Sequence, residues 1–343
     1  MSQRHRIALI GLGMGATPHA QSLKDLKERV EVAAAYTRTR ERAAAFAARF
    51  DFPLSHDLDA IVRDRSIGCV LIAAPPNVHL ELARRFAEAG KHILLEKPLE
   101  VSPARAEALV LACERAGVRL GLVFQHRFRP GALRLTQLLA GGDLGRIAVA
   151  NVNVPWWRPQ SYYDEPGRGT LARDGGGVLI TQAIHVLDLF VSLVGVPSEV
   201  AAFAGTTALH RMEAEDVVAA ALRFEGGAIG SLMASTALYP GFGERIEIVG
   251  THGTAIFTAG ELRVRMQDGS SEVAGESGAS GAGADPMAFS NDAHRGVLAD
   301  FLDALDTGRD PLANGRAALK VHWLIDALLE SSRSARPIRP RHA

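Results

Sequence analysis

The stretch Arg6-Ile-Ala-Leu-Ile-Gly-Leu-Gly-Met-Gly-Ala16 decides the fold. Four apolar residues, Ile7 to Ile10, run into a glycine-dense turn, and a helical pattern opens near Thr17. Strand, glycine turn and helix form the setting in which a G-x-G-x-x-G/A pattern has physical meaning. Gly11 allows the tight turn. Gly13 lets a backbone approach a pyrophosphate, and Ala16 is small enough for the helix to sit close on the strand. The helix N-terminus offers free N–H groups and partial positive charge to phosphates. Gly11, Gly13 and Met14 are therefore expected to touch a dinucleotide.

Working outward, strand and helix patterns alternate. Residues 30–36, 69–73, 92–96 and 120–124 read as strands, each a near-continuous apolar run. Helices fit 40–50, 57–63, 78–89 and 102–116. Apolar strands separated by helices predict a six-stranded parallel, doubly wound sheet, an α/β Rossmann domain over 1–124. The end of the second strand selects the cofactor. A carboxylate there suits the 2′-hydroxyl of NAD, and a hydroxyl or arginine suits the 2′-phosphate of NADP. The residues are Tyr36-Thr37-Arg38-Thr39, with Arg42 one turn on and no acidic group. NADP(H) is the expected cofactor, read by Thr37, Arg38 and Arg42, with NAD the alternative.

Beyond residue 125 the texture changes. Residues 147–155 alternate, an aromatic loop follows (Trp156-Trp-Arg-Pro-Gln-Ser-Tyr-Tyr-Asp164), and Gly175-Gly-Gly177 leads into a helix over 178–193. Strand-like runs at 199–204, 216–224, 228–235, 244–250, 253–258 and 261–266, several joined by short glycine turns, predict a large, mainly antiparallel sheet. Residues 270–285 read as a mobile Gly/Ser/Ala loop, and 292–305 and 315–332 as closing helices. A second α/β domain is thus expected over 125–343, its last helix a candidate to pack back on the first.

The 343 residues are 47% hydrophobic and 22% charged, with zero formal net charge. No basic patch stands out, which argues against nucleic acid as a partner. No signal peptide fits the start, and no apolar run reads as long enough for a membrane span. A cytoplasmic protein is expected. Cys69 and Cys113 sit in apolar runs and read as small buried hydrophobes. The basic tail 333–341 reads as a solvated end, and no residue spacing suggests a metal.

Three further motifs make the chain resemble the glucose–fructose oxidoreductase / inositol dehydrogenase / MocA family: Ala73-Ala-Pro-Pro-Asn-Val-His79, Glu96-Lys97-Pro98, and Gly175-Gly-Gly-Val-Leu-Ile-Thr-Gln-Ala-Ile-His185-Val-Leu-Asp188. The resemblance covers almost the whole chain. It implies a Rossmann domain followed by an α/β domain whose large open sheet packs on another subunit, hence a homodimer or homotetramer. It implies cofactor contacts at Pro75, Asn77, His79, Glu96, Lys97 and Gln125.

The resemblance further implies that Lys97 hydrogen-bonds the reacting oxygen, stabilising an alkoxide or polarising a carbonyl. His185 is the expected general base, since histidine titrates near neutral pH. Family members often carry a carboxylate four residues before this histidine. Thr181 stands there instead, and it can bond a substrate hydroxyl but cannot exchange protons. Thr181, Asp188, Arg127, Arg158 and Tyr163 are the expected substrate contacts. The implied activity is hydride transfer between nicotinamide and a hydroxyl-bearing carbon of a sugar, sugar nucleotide or cyclic polyol. Two alternatives stand beside it: a dehydrogenase of a cyclic diene-diol or aromatic-derived aldehyde, its carboxylate held by Arg127 or Arg158, and a dinucleotide sensor without catalysis.

Overall fold

Strands buried on both faces must be apolar throughout, and that is the character of the first sheet. The computed structural model describes residues 4–278, 282–283 and 290–341. Its six parallel strands are β1 (His5–Ile10), β2 (Val30–Tyr36), β3 (Leu54–Ser55), β4 (Cys69–Ile72), β5 (His92–Leu95) and β6 (Leu120–Leu122), in the order β3-β2-β1-β4-β5-β6. This is the doubly wound order that leaves a crevice at the carboxyl ends of β1 and β4. Ile7, Leu9 and all of β4 have no exposed surface. The short β3 is the one strand the apolar runs left unmarked.

The first unit is not one continuous segment. It comprises the chain up to Gln125 together with Ser290–Leu319, which corrects the expectation that everything after residue 124 belongs to the second domain. The physical reason is local. The helix Asp292–Thr307 lies along the helix Ala16–Asp25, with Asn291 Nδ2 donating to Asp25 at 2.9 Å. The fully buried Phe301 packs where Gly121 of β6 leaves room, and a Cβ at Gly121 would sit 3.0 Å from that ring. The Leu122 amide donates to the Ala313 carbonyl at 2.7 Å.

The second unit holds eight strands: β7 (Ile147–Pro155), β8 (Glu199–Gly205), β9 (Val217–Arg223), β10 (Ile229–Ser235), β11 (Arg245–Gly250), β12 (Gly253–Thr258), β13 (Glu261–Met266) and β14 (Ser271–Ala274). Their order is β14-β13-β12-β11-β7-β10-β9-β8, antiparallel except for the β7–β10 pair. The helices Pro130–Ala140 and Ile184–Val194 cover one face. Leu222, Leu232, Val152, Ile246, Phe257 and Leu262 point inward across six strands.

Several expectations are corrected here. Part of the Gly/Ser/Ala segment is ordered as β14, whose Glu272 receives both nitrogens of a bidentate Arg134 fork. Residues 279–281 and 284–289 lie outside the described residues. The helix Pro130–Ala140 went unmarked. The closing helix Gly315–Ser334 divides, its first turn belonging to the first unit and the rest to the second. The tail is not simply solvated, because Ile338 and Val200 exchange two backbone hydrogen bonds at 2.8 Å. The stretch Leu171–Val194 is apolar and long enough to cross a bilayer, contrary to expectation. It lies mostly buried, as a core helix of a globular unit does.

Candidate active site

In the first unit the glycine turn behaves as its residue types require. Gly11 has φ +98°, where a side chain is strained, and a Cβ there would lie 2.6 Å from the Ala73 carbonyl oxygen. Its amide donates to the Tyr36 carbonyl at 2.8 Å, which ties the turn to the end of β2. Gly13 faces open space, so a ligand backbone can approach, and Met14 is exposed. Ala16 is buried at the helix start. Thr37 is buried, while Arg38 and Arg42 are exposed beyond β2. These features fit a dinucleotide: an open glycine surface beside a helix N-terminus, with hydroxyl and cation at the end of β2.

Lys97 follows β5, two strands from β1 in the same sheet. It is half-buried, and the Lys97–Pro98 peptide is cis. Glu96 next to it is held from two sides. His19 Nε2 lies 2.6 Å from one carboxylate oxygen, and the Lys97 backbone N–H donates to the other at 3.0 Å. Burial alone would raise this carboxyl, but the His19 hydrogen bond, with the charges of His19, Lys97 and His294, outweighs it and brings it down to about 2. Glu96 is thus an ionised acceptor rather than a general acid.

Four further expected cofactor contacts lie on the loops after β4 and β6. His79 is fully buried, with Nδ1 3.0 Å from the Pro98 carbonyl and 3.2 Å from the Leu99 carbonyl, and Nε2 2.8 Å from the Ala74 carbonyl. It stitches the loop after β4 to the loop after β5, which corrects its reading as a ligand contact. Burial pushes its pKa down. Pro75 and Asn77, on the same loop, are exposed. Gln125 is buried after β6.

In the second unit, His185 begins the helix Ile184–Val194 and is 9% exposed. A single π-helical turn, Leu179–Ala183, precedes it, and such turns often mark functional positions. The last of the three glycines, Gly177, is explained by Glu215. A Cβ at Gly177 would lie 1.8 Å from the Glu215 carbonyl oxygen. The Glu215 carboxylate accepts from the Gly177 and Leu179 amides at 3.1 and 3.2 Å, so it caps the helix that carries His185. The His126 ring stacks on the His185 ring at 5.3 Å and 24°.

The expected substrate contacts divide. Asp188 is fully buried and takes a bidentate fork from Arg127, both bonds 2.6 Å. Burial pushes its carboxyl up and the Arg127 charge opposes that push. This pair ties the segment Gln125–Phe128 to the His185 helix, so both residues read as structural rather than as substrate contacts. Arg158 is 2% exposed, and its Nη1 donates to the carbonyls of Trp157 and Gly283 at 2.7 and 2.6 Å. Tyr163 is buried with its hydroxyl 2.7 Å from Thr236 Oγ1. Both hold the aromatic loop together, a correction to their reading as ligand contacts. Thr181 stays accessible in part, with its hydroxyl donating to the Gly177 carbonyl at 2.6 Å. Toward a substrate it therefore offers lone pairs.

Tyr162 belongs to the aromatic loop marked in the sequence, whereas Arg168 and Gln182 carry no signal there. Arg168 lies 4.4 Å over the Tyr162 ring and donates to its hydroxyl at 2.8 Å. Gln182 Nε2 reaches the same hydroxyl at 3.4 Å, and Gln182 Oε1 contacts Thr181 Oγ1. A polar chain thus runs from the aromatic loop to the turn before His185. Among these, only the tyrosine pair had been a visible signal.

Comparison with known proteins places both parts of the chain in one family. The family model described as "Oxidoreductase family, NAD-binding Rossmann fold" matches residues 5–124, and the "GFO/IDH/MocA C-terminal domain" matches residues 132–256. Myo-inositol 2-dehydrogenase of Thermotoga maritima is 27% identical over 257 residues, 72% of this chain and 73% of that protein. D-apiose dehydrogenase of Paraburkholderia graminis is 26% identical over 98% of this chain and 90% of that protein. Among solved structures, the WlbA dehydrogenase of Bordetella pertussis, in complex with NADH and UDP-GlcNAcA, superposes with a TM-score of 0.83. It is 28% identical over 99% of this chain and 100% of that one. Levoglucosan dehydrogenase in complex with NADH and levoglucosan gives a TM-score of 0.87 at 25% identity, over 99% and 100% of the two chains.

Proposed function

Because the chain belongs to the GFO/IDH/MocA oxidoreductase family, we propose that it dehydrogenates a hydroxyl-bearing carbon of a sugar, sugar nucleotide or cyclic polyol, with NADP(H) preferred over NAD(H). The observation that carries this reading is Lys97, a cation at the carboxyl end of β5 in the sheet whose β1 ends in the open glycine turn. When bound, the nicotinamide supplies the hydride chemistry. The Lys97 ammonium stabilises negative charge on the oxygen as the hydroxyl proton leaves. His185 takes that proton. Its helix is fixed by Glu215 and by the Arg127–Asp188 pair, and its ring lies stacked on His126. Gly11, Gly13 and the helix behind them take the diphosphate, and Thr37, Arg38 and Arg42 face the adenosine ribose.

The sugar reading is favoured over a carboxylated aromatic ring. The two arginines that would have bound such a carboxylate are engaged, Arg127 by Asp188 and Arg158 by backbone carbonyls. A panel of myo-inositol, D-apiose, levoglucosan and UDP-GlcNAcA, followed by nicotinamide absorbance, tests the class. Turnover of none of them, with tight cofactor binding, would favour the dinucleotide-sensing alternative.

Paired titration with NADPH and NADH tests the cofactor. Arg38→Ala is expected to weaken NADPH binding about tenfold, the effect of one charge-assisted hydrogen bond. NADH binding should stay unchanged. Equal loss for both cofactors would show that Arg38 does not read the 2′-phosphate.

The sheet's outer face supports a homodimer or homotetramer. Ala201, Phe203, Ala219, Ala221 and Ile229 are exposed there on β8, β9 and β10, with Phe203 82% exposed. An apolar face of this kind is the usual mark of an interface. Ile229→Arg is expected to lower the mass measured by light scattering while leaving cofactor binding intact. An unchanged mass would place the interface elsewhere.

A further inference from the structure

We propose that His19 is a positioning residue for Lys97, acting through the Glu96 carboxylate. This rests on the reading of Lys97 given above. An ionised carboxylate is acceptor only, so His19 carries its hydrogen on Nε2 and donates it to Glu96 at 2.6 Å. The other oxygen takes the Lys97 N–H at 3.0 Å. Two donors converge on one side chain, and only a carboxylate offers an acceptor on each side. The amide so held belongs to Lys97 itself, so the direction of the Lys97 side chain is set at its own backbone.

His19 lies on the helix Ala16–Asp25 that opens from the glycine turn. One helix therefore presents its N-terminus for phosphate and fixes the backbone of the catalytic cation. His19 is 2% exposed. The ring of His294, 4% exposed, stands edge-on to it at 5.3 Å and 79°.

His19, Glu96 and His294 could also converge on a metal ion, since their ligand atoms lie within 4.8 Å of one another. The distances favour the hydrogen-bonded state. Two ligands on one tetrahedral zinc stand about 3.4 Å apart, whereas His19 and Glu96 are 2.6 Å apart.

The test uses the five lysines of the chain (Lys24, Lys27, Lys91, Lys97 and Lys320). Labelling with ¹⁵N-lysine gives one backbone amide signal for each, and Lys97→Arg identifies that of Lys97. In His19→Phe, which keeps the ring volume without the donor, the Lys97 amide should shift and exchange about tenfold faster, and kcat should fall about tenfold at nearly constant KM. His19→Gln, which keeps an N–H near the Nε2 position, should restore both. If His19→Phe does not fold, Glu96→Gln serves in its place: with a single acceptor it cannot satisfy both donors, and the Lys97 amide should again move. An unmoved Lys97 amide in the folded variant overturns the proposal. So does one equivalent of zinc retained by the wild type and lost with His19, which would make the cluster a metal centre. Failure of the oxidoreductase reading looks different. The wild type would then bind neither NADH nor NADPH, while the Lys97 amide would still report on His19.

Discussion

Lys97→Met is expected to lower kcat by about 10²–10³-fold, the usual loss when one preorganised donor to a developing oxyanion is removed. Methionine matches the length and volume of the lysine stem, so packing around Pro98 is preserved. Only the ammonium is lost, at a half-buried position where charge is poorly replaced by water. Cofactor affinity should hold within about threefold, because the diphosphate is held by the glycine turn and helix rather than by this side chain. The measurement is a steady-state series on a substrate that turns over, alongside NADH binding by its own fluorescence. A parallel fall in kcat and kcat/KM marks an interaction made in the transition state. Unchanged turnover would remove Lys97 from the chemistry.

Asp188→Ala is expected to be the most destabilising single change in the second unit. It strands the Arg127 guanidinium, whose side chain is 14% exposed, opposite a cavity left by a fully buried carboxylate. Breaking a buried pair from one side costs about 3–5 kcal/mol. Urea unfolding followed by tryptophan fluorescence reads this directly, since Trp156, Trp157 and Trp323 all lie in the second unit. The double variant Arg127→Met/Asp188→Leu should recover much of the loss, because apolar replacement of both partners is often neutral. A loss of under about 1 kcal/mol in Asp188→Ala, the range of an exposed pair, would show that the pair does not tie its two segments together.

The parallel sheet was legible because its long strands carry near-continuous apolar runs and two of its helices carry their own stop. Gly90 and Gly117 close those helices with positive φ. The seven longer strands of the second sheet were legible by alternation and glycine turns. β14 was not, since Ser271-Glu-Val-Ala274 is polar and sits at a sheet edge where only Arg134 reveals what it packs on. Site residues followed the same logic. Gly11 and Gly13 could be placed from local chemistry, and Lys97 and His185 from motifs. Arg127, Arg158 and Tyr163 were chosen as polar groups near the motifs and His79 and Asp188 as members of them, and what separates a ligand contact from a buried tie is the partner. Those partners lie far along the chain: Arg127 finds Asp188, Arg158 finds Gly283, and Tyr163 finds Thr236. Glu215 and His294 were invisible for the same reason.

The interleaving of the two units gives the chain an order of assembly. On the ribosome the six parallel strands emerge first, then the entire second sheet, and only afterwards the helix bearing His294 and Phe301. Until then the groove beside Gly121 has no ring to fill it, and the Leu122 amide lacks the Ala313 carbonyl. The nascent dinucleotide domain must therefore wait, incompletely closed, while its successor is made. A premature stop near residue 290 would spare every glycine of the fingerprint and still leave that domain unfinished.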